Sequence, residues 1–193
     1  MAQTNKEIRS AVVVVNSELD SPEMIVAGYA LVFEQSAVIC EYDGIQYKEI
    51  IDKDALVGAD ISDVPFKYNH SNDFLVLART RNKTLELTTD NMGLKIRAIL
   101  ADVTAGRDLY KLIQRGDIDK MSFAFTVGNE SYDSATHTRR ILKIDKVYDV
   151  SAVDTPAYDG TSISARNYFA TQIEGEKKAK EQIRRKKLLL MTY

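Results

Sequence analysis

The chain has 193 residues, 45% of them hydrophobic and 28% charged, with a formal net charge of −2. That is enough for one domain with a real core plus a tail, and it supplies no overall attraction to nucleic acid or to an acidic membrane. The single Cys40 excludes an internal disulfide framework and a cysteine-based zinc site; no apolar run approaches the roughly 20 residues of a membrane span, and "MAQTNKEIRS" lacks the apolar middle of a secretion signal, so a cytosolic protein is expected.

In chain order, the first 155 residues read mostly as strands. "IRSAVVVV" (8–15) is short and β-branched, and "MIVAGYALVF" (24–33) is a second strand whose Gly28 signals a bulge or a close backbone approach. "IQYKEII" (45–51) alternates, with Ile45, Tyr47, Glu49 and Ile51 on one face. "DKDAL" (52–56) is read as one helical turn capped by an aspartate, and "VPFKYNH" (64–70) as a strand entering the polar loop "HSNDF". "KTLELTTD" and "GLKIRAIL" flank "DNMG", a hairpin signal with glycine at the turn. "DVTAGRDLYKLIQRGD" (102–117) is the strong helix of the body: Asp102 or Thr104 is the expected cap, Leu109, Leu112 and Ile113 form the apolar stripe, and Gly116 stops it.

Beyond it, "KMSFAFTV" (120–127) is a strand, "GNESYDSATHTRR" (128–140) a polar hairpin loop, and "RILKIDKVYDVSAVD" a long, bent strand ending at the turn "TPAYDGTS". From Thr171 onward Lys177, Lys178, Lys180, Arg184, Arg185, Lys186 and Lys187 outnumber Glu174, Glu176 and Glu181. This reads as a basic terminal helix, either a solvated one or a docking segment for an acidic partner. The expected division is a body of residues 1–166 and a basic helical tail of residues 167–193.

Only His70 and His137 are available for histidine chemistry. His70 lies where an apolar strand gives way to a polar turn, a half-exposed position suited to a general base or to an ordinary surface histidine. In "KMSFAF", alternation puts Met121, Phe123 and Phe125 on one face and the small Ser122 and Ala124 on the other, which would leave room there for a substrate chain. A serine hydroxyl needs a base within hydrogen-bond reach to act as a nucleophile, and otherwise is a small residue in a sheet. In "VYDVSAVD", Asp149 and Ser151 share a face; a carboxylate in so apolar a strand demands a partner, and a histidine proton is a natural one. Asp90 and Asp102 compete for that role, whereas Asp73 is placed to cap its own loop. No metal-ligand spacing, glycine-rich phosphate loop or nucleophile elbow occurs, so no cofactor is expected.

Together the fragments form an ordered set: a histidine after "VPFKYNH", then "LART", "DNMGLKIRAIL", "LIQRGDIDKMSFAF" and "YDVSAVDTPAY". From about Ile8 to Arg166 the set resembles the prohead (procapsid) maturation proteases of tailed bacteriophages, which are similar in fold to the herpesvirus capsid-assembly proteases. Lys120 and Asp149 are mild departures, where the family pattern has glycine and glutamate. The resemblance implies a mainly β (α+β), barrel-like domain of largely antiparallel strands with one or two packed helices. It implies a serine endopeptidase with Ser122 as nucleophile, His70 as base and an acid, Asp149 ahead of Asp90 or Asp102; His137, in a polar loop, is a poor candidate. Arg79 in "LART" matches a position often basic in the family and is read as an oxyanion or substrate contact, or as a salt-bridge residue. The implied substrate is scaffold protein or the scaffold-like arm of the major capsid protein, or both, cleaved inside the procapsid in the host cytoplasm, with self-cleavage, a homo-oligomeric enzyme, and neither membrane nor specific nucleic acid as partner. The rival functions are an inactive assembly protein of the same fold, a structural β protein, and an esterase.

Overall fold

The computed structural model describes residues 6–11, 16–17, 23–73, 75–154 and 163–190. Eleven strands and two helices are defined among them: β1 (Glu7–Ala11), β2 (Asn16–Ser17), β3 (Ile25–Val32), β4 (Ala37–Tyr42), β5 (Ile45–Ile51), β6 (Pro65–Tyr68), β7 (Ala78–Arg79), β8 (Leu85–Thr89), β9 (Gly93–Ile99), α1 (Thr104–Arg115), β10 (Lys120–Asp133), β11 (Thr138–Val153) and α2 (Ile163–Leu190).

The strands form two mixed or antiparallel sheets. The larger runs β1–β10–β11–β5–β4, and β6 also joins β11 and carries β7. β5 and β6 follow one another along the same edge of β11, both parallel to it: β5 meets Thr138–Ile141 and β6 meets Val150–Ala152. The smaller sheet runs β2–β3–β9–β8, all antiparallel. Among the described residues neither sheet closes, so two open sheets around a shared core stand in place of the expected barrel-like arrangement. Alternation tells which side chains turn inward but not whether the last strand returns to pair with the first.

That core gathers Ile96, Leu94 and Val26 of the small sheet, Phe66, Met121, Phe123, Phe125 and Val150 of the large one, and Leu109 and Ile113 of α1. Phe123 and Phe125, two residues apart on β10, stack with centroids 4.6 Å apart and fix the face of that strand. A satellite core of Ile39, Tyr47, Ala165 and Phe169 docks the start of α2 on β4 and β5. The helix therefore begins, and is anchored, ahead of the position expected from its charged stretch.

Several local expectations change. The polar segment 128–140 is a continuation of β10 and β11, with the turn only at residues 134–137: Glu130 pairs with Arg139 across the ladder and the Tyr132 ring packs on Tyr168 and Phe169. α1 has Val103 in the cap position, whose apolar side chain cannot accept from the first N–H groups; Thr104 is the first helical residue, and Asp102 pairs with Arg107 at 2.5 Å. Its C-terminus is as read, with Gly116 at φ 85° and its N–H donating to Ile113 and Leu112. Gly93 is needed for space rather than for the turn: an added Cβ would lie 1.9 Å from the Leu31 carbonyl oxygen. The bulge attributed to Gly28 falls just beyond it, between Tyr29 and Leu31. Residues 52–56 form hydrogen-bonded turns, with the Asp54 N–H donating to Asp52 at 3.0 Å. β4 was not anticipated, and "TPAYDGTS" and residues 12–15 lie outside the described residues.

Candidate active site

Three elements meet at Ser122. It lies near the start of β10, directly across from Ser151 of β11, while Ala124 lies across from Asp149. Residues opposite each other in a ladder share a face, so Ser122, Ala124, Asp149 and Ser151 form one patch. β6 pairs with the far edge of β11, Lys67 beside Ser151 and Tyr68 beside Ala152, and then delivers His70 over the patch.

The delivery uses an unusual backbone. Asn69 and His70 are consecutive left-handed residues with φ 50° and 54°. The turn is held by Asn69 N–H donating to the Ala152 carbonyl at 3.0 Å and by Asp154 N–H donating to Asn69 Oδ1 at 3.2 Å. Non-glycine residues in this region are uncommon, and Asn and His tolerate it better than most. It turns the imidazole back across β11 toward β10.

The side chains then form a relay. His70 Nδ1 is hydrogen-bonded to Asp149 Oδ1, and Nε2 lies 2.7 Å from Ser122 Oγ. Asp149 Oδ2 accepts from Lys6 Nζ at 2.8 Å. Burial alone would push the Asp149 carboxyl up; the hydrogen bond and charge of His70, backed by Lys6, overcome this and bring it down to about 2. The carboxylate is thus ionised throughout the neutral range and accepts a hydrogen bond from Nδ1–H, which leaves Nε2 as an acceptor facing the serine. Ser122 Oγ also lies 2.7 Å from the Arg9 carbonyl of β1, which competes with Nε2 for the single hydroxyl proton.

Chemically, this arrangement can withdraw a proton from a hydroxyl and hold the resulting imidazolium. The patch is nevertheless closed. Ser122 and Ala124 have no exposed surface, and the His70 side chain is only 12% exposed rather than half-exposed. The two small residues expected to border a substrate space are themselves fully buried.

The other candidates lie elsewhere. Arg79 directs its guanidinium onto Asp63, Nη2 donating at 2.9 Å. It stands on β7, three strand intervals from β10, roughly 14 Å away at the usual spacing. Asp90 accepts from the Tyr29 hydroxyl and from the N–H groups of Met92 and Gly93 in its hairpin. Asp102 pairs with Arg107, and Asp73 is held in its own loop by the Ser71 hydroxyl. His137, at the distant β10–β11 turn, lies 3.3 Å from Glu176 of α2 and packs on Tyr47. Sequence reasoning missed three contributors: Lys6, the Arg9 carbonyl and the Ser151 hydroxyl. For Ser151 a signal existed, its shared face with Asp149; Lys6 is brought in from 143 residues away and has none.

Comparison with known proteins supplies the context. Residues 11–178 match the family model of the caudovirus prohead serine proteases. A search of curated proteins and a search of solved structures returned no match. With that model covering the great majority of its length, the chain belongs to the caudovirus prohead serine protease family.

Proposed function

We propose that the protein is the maturation endopeptidase of a phage procapsid, with Ser122 as nucleophile, His70 as general base and acid, and Asp149 as the residue that holds and stabilises the imidazole. The observation that carries the reading is the hydrogen-bond relay Asp149–His70–Ser122, with its 2.7 Å Nε2–Oγ contact, in which acid and serine stand on the paired strands β11 and β10 and the imidazole comes from the turn after β6. His70 takes the hydroxyl proton as Ser122 Oγ attacks a peptide carbonyl. It returns that proton to the departing amine, and then activates water against the acyl-enzyme. Each fixed donor to the oxyanion contributes about 3 kcal/mol. Arg79, committed to Asp63, would have to leave that pair to serve as one.

The substrates in this reading are scaffold protein and the scaffold-like arm of the major capsid protein, with self-cleavage as part of the same activity. The work is done by a homo-oligomer inside the procapsid. Residues 1–166 form the catalytic body, and residues 167–193 the basic segment that tethers it to scaffold or shell. Because Ser122 is fully buried, the enzyme must open over the hydroxyl before a peptide reaches it. That burial is also the observation in favour of the second reading, an inactive assembly protein of the same fold.

Co-expression with the neighbouring capsid protein, followed by intact mass, separates the two. Wild type should shorten its partner, whereas Ser122→Ala and His70→Ala should leave it whole. Processing by the Ser122→Ala variant would end the nucleophile assignment, and no processing by any form would favour the inactive reading.

A further inference from the structure

Ser151 is a buried polar residue that the relay itself does not employ. It has no exposed surface, stands directly opposite Ser122 on β11, and lies two residues beyond Asp149 on the same face. Its Oγ is within hydrogen-bond distance of three groups: the backbone N–H of His70 at 3.2 Å, Asp149 Oδ1 at 3.3 Å and His70 Nδ1 at 3.3 Å.

Counting protons decides among them. The His70 N–H can only donate, so Ser151 Oγ accepts there. His70 Nδ1 already carries its proton toward Asp149, so it offers no lone pair. The single hydroxyl proton of Ser151 therefore goes to Asp149 Oδ1. One side chain thus binds the main chain of the histidine and the carboxylate that orients its ring. The main-chain bond matters because His70 sits at φ 54°, where a non-glycine residue is held only by its surroundings. The carboxylate bond matters because Asp149 Oδ1 is also the acceptor of the Nδ1 proton; a second donor limits its rotation away from the ring.

We infer that Ser151 is a positioning residue of the proposed protease, locking the left-handed turn at His70 and the Asp149 carboxylate into one geometry. This rests on the reading of Ser122 and His70 given above. All three contacts are long, so each is individually weak, and the expected effect is intermediate rather than total.

The test uses the full chain and a fluorophosphonate probe that labels an activated serine, alongside turnover of the co-expressed capsid protein. Ser151→Ala should label roughly 10-fold more slowly and show kcat reduced by about the same factor, with KM little changed and the melting temperature lowered by a few degrees as the His70 N–H loses its acceptor. Ser151→Thr keeps the hydroxyl on a β-branched residue suited to a strand and should recover most of the rate. In proton NMR, the far-downfield His70 Nδ1 resonance should broaden in the alanine variant and return with threonine. Should the alanine variant not fold, Ser151→Cys, which keeps the volume and weakens both bonds, carries the same expectation. Wild-type kcat and an unchanged downfield signal in Ser151→Ala or Ser151→Cys would overturn the inference while leaving the protease reading intact. No labelling of wild type, or label mapped to Ser151 itself, would instead overturn that reading.

Discussion

Replacing Asp149 by asparagine perturbs the relay at its most informative point, because the asparagine amide must choose an orientation. In the native relay Oδ1 accepts from His70 Nδ1 and Ser151, and Oδ2 accepts from the Lys6 ammonium at 2.8 Å. An ammonium has donors only, so in Asp149→Asn the amide oxygen would be drawn to the Lys6 side and the NH2 group turned to the ring. Ser151 pulls the other way, but a neutral donor at 3.3 Å is weaker than a charged one at 2.8 Å. An NH2 facing Nδ1 forces the proton onto Nε2, where it blocks removal of the serine proton. The expected loss in turnover is about 10⁴-fold, the scale of a wrong-tautomer defect. Lys6→Met in the Asp149→Asn background removes the bias. Because the Lys6 side chain is 41% exposed, solvent screens its bond to roughly 1–2 kcal/mol, so the double variant should regain about 5- to 30-fold. The assay is the rate of fluorophosphonate labelling, which needs no knowledge of the natural cleavage site. The same substitution alters stability. The carboxyl falls from 3.8 to about 2 on folding, a difference that contributes about 2–3 kcal/mol. The folded value is the lower one, so this contribution is complete above about pH 4 and disappears as the pH falls through 2. Urea titrations should show a steeper loss of stability between pH 4 and 2 in wild type than in Asp149→Asn. Labelling of Asp149→Asn within tenfold of wild type, or a Lys6→Met second substitution that slows it further, would refute the reasoning.

Arg139→Met leaves the buried carboxylates of Glu7 and Glu49 with Arg9 alone and should cost about 3–5 kcal/mol, read as a lower urea midpoint; a change below about 1 kcal/mol would mean the cluster is dispensable. Gly93→Ala drives a methyl against the Leu31 carbonyl and should destabilise by roughly 1–3 kcal/mol with the hairpin otherwise intact, measured by the same titration. Glu176 accepts from the hydroxyls of Tyr132 at 2.8 Å and Tyr47 at 3.2 Å, so Glu176→Ala should raise hydrogen exchange in the first turns of α2 while the β10–β11 ladder stays protected.

What the sequence disclosed depended on range. The alternation of 45–51 placed Glu49 on the inward face, and the stop at Gly116 followed from backbone chemistry confined to a few residues. The ladder pairing of Ser122 with Ser151 and of Ala124 with Asp149 makes the shared face of "DVS" meaningful, yet alternation alone says nothing about which strands are neighbours. Polar composition misled at 128–140, because Glu130 pairs with Arg139 across the ladder and the Tyr132 hydroxyl is bound by Glu176 of α2, although much of the segment stays exposed. Closure of the patch over Ser122 was illegible for a related reason. Small residues on a strand predict a gap only if nothing is packed there, and what packs there comes from distant parts of the chain.

β1 shows how such long-range packing bears on the site. Alternation sends Glu7 and Arg9 to one side of the strand and Lys6 and Ile8 to the other. On the first side Arg9 is bound by Glu49 and Glu7, and Arg139 joins the same carboxylates, all within the interior. Burial would raise the Glu7 carboxyl, but Arg139 and Arg9 hold it below its usual range. On the second side Lys6 reaches Asp149, and the Arg9 backbone carbonyl stands 2.7 Å from Ser122 Oγ, beside the serine proton that His70 Nε2 must take. A buried ion cluster need not add stability over well-packed apolar residues, but it tolerates few alternative pairings. A five-residue edge strand held by aliphatic side chains could slip by two positions and keep its inward face; with Glu7 and Arg9 in place, such a slip leaves buried charge unpaired. The register that the cluster selects sets the Arg9 carbonyl against the Ser122 hydroxyl and Lys6 against the acid. Both groups come from residues that precede the stretch matched by the family model, so in this chain the surroundings of the serine are completed from outside it.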